Sequence, residues 1–220
     1  MNHPRPGPIG RRSAALAMAG VVAYALVDVV LQFLPPHYSP ISAAESNLAV
    51  GPFGWLMNLN FLGRAATTVA AVVAIATVGP ATQLRRAGLA LLLCGGVCSA
   101  VLAFLPTDVP APGHLTVTDQ TSLGIAHLAV AATGFLAALA GITVLTVWLR
   151  GSGRPSAFPA AAALAVVTGA GLLALGLATA LTPALLGLAE RVCLAGILGW
   201  TFSVCASVRS GTSAIHDLAR

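Results

Sequence analysis

Residues 13–34 read SAALAMAGVVAYALVDVVLQFL. The run is long enough to cross a hydrocarbon core, which takes about 20 apolar residues in helical form, and it follows the twin arginines Arg11 and Arg12. A secretory leader has the same order of parts, but its apolar region spans only about 7–15 residues. With Asp28 inside it, the stretch reads as a retained transmembrane helix. Five similar runs follow at 53–78, 87–106, 121–149, 158–181 and 187–208.

Composition agrees with that reading. The 220 residues are 57% apolar and 8% charged, with a mean hydropathy of +0.90, whereas a soluble domain carries about 25% charged side chains. An ordinary water-soluble fold is excluded. The net charge of +5 rests on eleven basic residues, all arginine, against six acids. A basic balance by itself would suggest nucleic acid or a membrane surface, but the positions speak for topology. Arg5, Arg11, Arg12, Arg85, Arg86, Arg150, Arg154, Arg209 and Arg220 fall in the tails and in the turns 79–86 and 150–157, while 35–52, 107–120 and 182–186 hold none. By the positive-inside rule both termini face the cytoplasm. The expected protein is all-α: a polytopic six-transmembrane-helix bundle of the plasma membrane at 13–208, with cytoplasmic tails at 1–12 and 209–220. Its partner is the lipid bilayer, with no role for nucleic acid.

The four cysteines Cys94, Cys98, Cys193 and Cys205 lie in apolar runs without zinc-ligand spacing, so they read as small core side chains. Phe33-Leu34-Pro35, Phe104-Leu105-Pro106 and Leu181-Thr182-Pro183 punctuate the three arginine-free helix ends. Three hairpins would fit this pattern, although proline ends helices at an interface in any case.

Ionisable groups in spanning segments are expensive unless they face protein or water, which makes each a candidate for function. Tyr24, Asp28 and Gln32 share one helical stripe, as do Asn60, Arg64, Thr67 and Thr68, with Trp55 and Asn58 one turn nearer the arginine-free side. His127, Glu190 and Arg191 lie one or two turns inside their helices. At a rise of about 1.5 Å per residue, Asp28, His127 and Glu190 fall roughly 5–10 Å below the surface and Arg64 about 15 Å. A shared depth predicts a polar pocket, roofed by 35–52 and 107–120, which add Glu45, Asn47, Asp108, His114 and Asp119. Each residue also has a structural reading. Arg64 pairs with Asp28 or Glu190, His127 donates to a carbonyl, Asp108 caps a helix or turn, and Glu45 in Ser42-Ala43-Ala44-Glu45 belongs to a capping box.

Three groups of residues carry a family resemblance: Ser39–Glu45 with Gly51–Asn58, Phe104–Asp108 with Gly124–His127, and Gly187–Arg191. In that order they resemble the bacterial and archaeal integral membrane proteins of the domain-of-unknown-function family numbered 998, from about residue 15 to 208. The resemblance implies six membrane helices and supplies no activity. The layout is also similar, at the level of fold alone, to a eukaryotic membrane family that includes a factor for remodelling lipid anchors.

No phosphate-cradling loop, H-E-x-x-H or G-x-S-x-G occurs. With one histidine in a span, neither a metal nor another cofactor is expected. Acid–base chemistry by carboxyl groups remains, since desolvation keeps a carboxyl protonated near neutral pH. Candidate catalytic residues are Asp28, Glu45, Glu190, Asp108 and His127; candidate substrate-binding residues are Tyr24, Trp55, Asn58, Asn60, Arg64, Arg191 and Trp200. The expected substrate is a lipid or isoprenoid. Proton-initiated cyclisation is the most concrete reaction, with Tyr24, Trp55, Phe61 and Trp200 as faces for a carbocation. The alternatives are a small proton-coupled transporter and an accessory protein without turnover.

Overall fold

The computed structural model describes residues 6–34, 38–152 and 157–211. Arg5, Pro35, Arg154, Asp217 and Arg220, with most of the two expected tails, lie outside the described residues. Six helices run in chain order: α1 Pro8–Gln32, α2 Gly54–Ala76, α3 Gln83–Leu102, α4 Ser122–Arg150, α5 Phe158–Leu181 and α6 Leu186–Ser210. Each is long and apolar enough to cross a membrane. Among the described residues there is no strand.

Local chemistry sets the ends. Pro8 stands in the first turn of α1, where a missing N–H is harmless, so this helix starts before the expected Ser13 and takes Arg11 and Arg12 into its opening turns. Thr82 caps α3 by accepting from the Arg85 N–H, and the helix therefore starts before the expected residue 87 and stops at Leu102, short of 106. Thr121 caps α4 in the same way, through Gly124. Gly211, at φ +64°, closes α6 in the left-handed conformation.

Neighbouring helices pack as antiparallel hairpins, α1 with α2, α3 with α4 and α5 with α6; α1–α6 and α2–α3 contacts join them, whereas α4 meets α5 and α6 sparsely. Small residues permit the close approach. A Cβ at Gly141 of α4 would lie 3.0 Å from the Gly88 carbonyl oxygen of α3, and one at Gly196 of α6 would lie 2.6 Å from the backbone nitrogen of Thr168 in α5.

Two clusters fill the bundle. Toward the end where Pro6, Arg11, Arg209 and Gly211 share one cavity, Ile75, Ile142, Leu145, Trp148, Trp200 and Val204 form a closely packed apolar core. We call this the basic end; α1 begins and α6 ends on it. At the opposite, acidic end, Tyr24, Leu31, Met57, Phe61 and Leu102 pack with Leu48 of the connection 38–53. That connection contains a short 3-10 helix, Glu45–Ala49, which forms a roof.

Candidate functional site

The roof is held down by polar groups from α1 and α6. Leu188 donates its backbone N–H to the Ile41 carbonyl (2.9 Å). Arg191, one turn further along α6, bonds the Pro40 carbonyl (3.2 Å), the Tyr38 hydroxyl (2.9 Å) and Asp28 of α1 (3.3 Å). Tyr38 in turn donates toward the Ala43 and Ala44 carbonyls. Burial pushes the Tyr38 phenol above its ordinary pKa against the pull of Arg191, so it remains a donor.

These attachments place Glu45 inside the bundle, 2% exposed. Its backbone N–H donates to Glu190 Oε2 at 2.7 Å, and its own Oε2 accepts from the Tyr24 hydroxyl at 2.7 Å. The expected capping box does not form: Ala44 is the cap residue and has no side-chain bond, because the Glu45 carboxyl is engaged by Tyr24 while Glu190 satisfies the open N–H. Arg64 donates to Tyr24 Oη (3.2 Å) and to Ser99 Oγ (2.8 Å), and the Ser99 hydroxyl donates to the Phe61 carbonyl (2.8 Å). Asn60 fixes Tyr24 from below through the Tyr24 carbonyl (3.2 Å).

The electrostatics follow from this geometry. Three carboxyls, Asp28, Glu45 and Glu190, face two guanidiniums. Asp28 is matched to Arg191 and steadied by Gln32 at 2.7 Å. Arg64 forms no ion pair among the described residues; it rests over the rings of Tyr24 and Phe61, 5.3 and 5.5 Å from their centroids. Two glutamates therefore share one guanidinium, and the group is electrically balanced when it holds one proton. Burial, with Glu190 nearby, pushes the Glu45 carboxyl up to about 8.

Two cavities flank this group. A narrow crevice between α2, α3, α4 and α6, with about 60 Å³ of free volume, is lined by Arg64 and Ser99 at its head and by Phe135, Ala138 and Ile197 along its walls. An outer chamber of about 250 Å³ lies between the roof, the 107–120 connection and the ends of α4, α5 and α6, and includes Ala44 and Asn47 on either side of Glu45. The bonded chain Glu190–Glu45–Tyr24–Arg64–Ser99 thus runs from beside the chamber to the crevice.

The expected pocket is in part assembled. Tyr24, Asp28, Glu45, Asn60, Arg64, Glu190 and Arg191 converge, but Asp28 pairs with Arg191 where Arg64 was an expected partner. His127 stands apart, its Nδ1 2.7 Å from the Leu105 carbonyl oxygen, in the structural role foreseen as one alternative. Asp108 accepts from Thr121 N (2.7 Å) and Thr121 Oγ1 (2.9 Å), as a cap at the start of α4. Asn58 is only half-buried and makes no side-chain bond to the group. Trp55 is 58% exposed. Trp200 is fully buried in the basic-end core, donating to Thr146 Oγ1 at 2.9 Å. Neither tryptophan lines the crevice, and Arg64 covers the ring faces of Tyr24 and Phe61.

Sequence reasoning missed Ser99 and Tyr38. Ser99 was visible as a hydroxyl within an apolar run, but it is too common a residue to mark a site. Tyr38 lies in a connection where no periodicity points inward. Among the described residues no group of three His, Cys, Asp or Glu side chains is placed to hold a metal ion.

A family described as protein of unknown function (DUF998) matches residues 18–207. The chain belongs to this family. The match reaches all six helices of this DUF998 protein, from within α1 to near the end of α6, and takes in the whole Tyr24–Glu45–Arg64–Glu190 group. Neither a curated protein nor a solved structure matches the chain.

Proposed function

We propose that this DUF998 protein is a membrane-embedded enzyme in which the Glu45–Glu190 pair delivers a proton to an amphiphilic substrate, a lipid or an isoprenoid. The observation that carries the reading is a roof residue, Glu45, almost without exposure, whose carboxyl accepts from Tyr24 and whose backbone N–H donates to a second buried carboxyl, Glu190, with its neighbours Ala44 and Asn47 on the chamber wall. A group protonated up to about pH 8 is a donor at neutral pH, and general acids of this kind contribute about 10²–10⁴-fold to rate. Tyr24 holds the Glu45 carboxyl in position, its hydroxyl donating to Glu45 and accepting from Arg64.

The narrower reading is proton-initiated cyclisation of an isoprenoid: the Glu45 proton adds to an alkene carbon, the π electrons form the new C–H bond, and the resulting carbocation closes a ring before returning a proton to the carboxylate left on the glutamate pair. Phe135 is the aromatic face that lines the crevice for this chemistry. A second reading, a proton-coupled carrier, is favoured by one observation: the bonded chain reaches the crevice within the bundle through Arg64 and Ser99, while Ala44 and Asn47, flanking its Glu45, line the chamber at the acidic end. Both termini are read as cytoplasmic, with the acidic end outside the plasma membrane, on the arginine pattern.

The test is to place the wild type, Glu45→Gln and Glu190→Gln in nanodiscs of lipids extracted from the expressing cells and to follow the lipids by mass spectrometry. A product formed by the wild type, and slowed at least about 10²-fold by Glu45→Gln, is expected. An unchanged lipid profile, together with substrate-driven proton uptake in proteoliposomes, would overturn the enzyme in favour of the carrier.

A further inference from the structure

The outer chamber has a chemistry of its own. Ser42 and Asn47 from the roof and Thr116 and Gln120 from the 107–120 connection line it, and the side chains of all four lack hydrogen-bond partners among the described residues. Two hydroxyls and two primary amides on one wall offer both donors and acceptors. No arginine lines the chamber, and its sole charged side chain, Asp108, has an oxygen committed to each of the Thr121 N–H and O–H groups. A phosphate or carboxylate would find no cation there, and an ammonium would find an anion already engaged.

The rest of the wall is apolar. Leu128 of α4 and Leu186 of α6 contribute to it, and Thr179 of α5 spends its hydroxyl on its own helix at the Leu175 carbonyl. Leu128 and Thr179 are both exposed, on two helices that meet only sparsely. The chamber is therefore open sideways between α4 and α5, at the depth where the ends of spanning helices meet lipid head groups. Glu190 lies one turn beyond Leu186 on the same face of α6, so the floor of the chamber leads toward the acid pair.

We infer that the outer chamber binds the uncharged, hydroxyl-rich head group of an amphiphile, a sugar or glycerol moiety, with its chain leaving between α4 and α5. This names the substrate class of the enzyme proposed above and rests on that reading for the fate of the bound molecule; the binding itself is independent of turnover. Pockets for small molecules combine such an apolar body with a few convergent polar groups. Uncharged hydrogen bonds set orientation and discriminate against ligands that leave the partners unsatisfied.

The test is native mass spectrometry of the full chain in an amine-oxide detergent, titrated separately with monoglucosyl diacylglycerol, diacylglycerol, phosphatidic acid and free glucose. Monoglucosyl diacylglycerol is expected to bind at least about tenfold tighter than the other three, and the pair Asn47→Leu with Gln120→Leu to lower that affinity by about tenfold or more, as the loss of two uncharged hydrogen bonds implies. Thr116→Val, at an exposed position, gives the same direction without touching the roof. Tighter binding of free glucose than of the glycolipid would assign the chamber to a soluble sugar and overturn the amphiphile. Phosphatidic acid binding equally well, or affinities indifferent to all three substitutions, would overturn the head-group assignment. If the chamber variants bind normally while Glu45→Gln still abolishes product formation, this inference fails and the acid reading stands; if glycolipid binding is lost in the chamber variants but Glu45→Gln turns over normally, the reverse holds.

Discussion

The two ends of the bundle are built from the same six helices by opposite means. At the basic end, Trp148 and Trp200 sit among aliphatic side chains, and each indole spends its N–H once, on Pro80 O (3.2 Å) and Thr146 Oγ1 (2.9 Å). At the acidic end, a connection rather than a helix supplies the central group, Glu45, and four residues from four helices, Tyr24, Arg64, Ser99 and Glu190, complete the bonded chain through it. Packing specifies the first region. Proton placement specifies the second, so the two should respond differently to substitution and to pH.

The largest effect is expected where packing alone acts. Trp200→Ala removes a fully buried side chain and should cost about 3–5 kcal/mol, lowering the thermal midpoint in detergent by about 10 °C with little change in its pH dependence. Next comes the clamp on the roof. Arg191→Met strands Asp28 and frees Tyr38 and Pro40; because the pair keeps 19% and 14% exposure, a loss of about 2 kcal/mol is expected, below that of a fully buried pair. Adding Asp28→Leu should recover most of it, and failure of the double variant to recover would show that the clamp acts through the roof bonds instead of through charge.

The third test separates the two ends by pH. Glu45 keeps its proton to about 8 in the fold, against an ordinary value of 4.5. Its contribution is therefore fully present below about pH 4.5 and is lost as the pH rises to about 8. The wild-type midpoint should fall across that window, and Glu45→Gln should flatten the fall; equal slopes in the two proteins would erase the contrast. The smallest effect is expected for Asp108→Ala, a loss of about 1 kcal/mol from the start of α4, with the wild-type pH slope retained.

Much of this contrast was legible beforehand. Hydropathy and arginine placement were sufficient for six spans, because lipid imposes a length and a composition on every crossing helix. The depth of Asp28, Glu190 and Arg64 followed from helical rise, which is why a polar level was expected there. What rise does not encode is azimuth around the bundle. Trp200 looks like a site residue in sequence yet faces the dry core, Trp55 faces outward, and Arg191 reaches Asp28 ahead of Arg64. Nor could helical periodicity place Glu45 or Tyr38, which lie on a connection whose path is set by contacts made far away in the chain, such as Leu188 to Ile41.

That Glu45 rides on the roof has a mechanical consequence. The 38–49 segment covers the acidic end and also carries Glu45, so on the proposed reading lid and reagent would be one body. Any displacement that lifts the segment from both α1 and α6 breaks the Glu45–Tyr24 and Glu45–Glu190 bonds in the same stroke and withdraws the carboxyl from its neighbours. On the reading proposed above, entry and disarming would coincide, as would closure and arming, and the proton donor would be complete only behind a shut door.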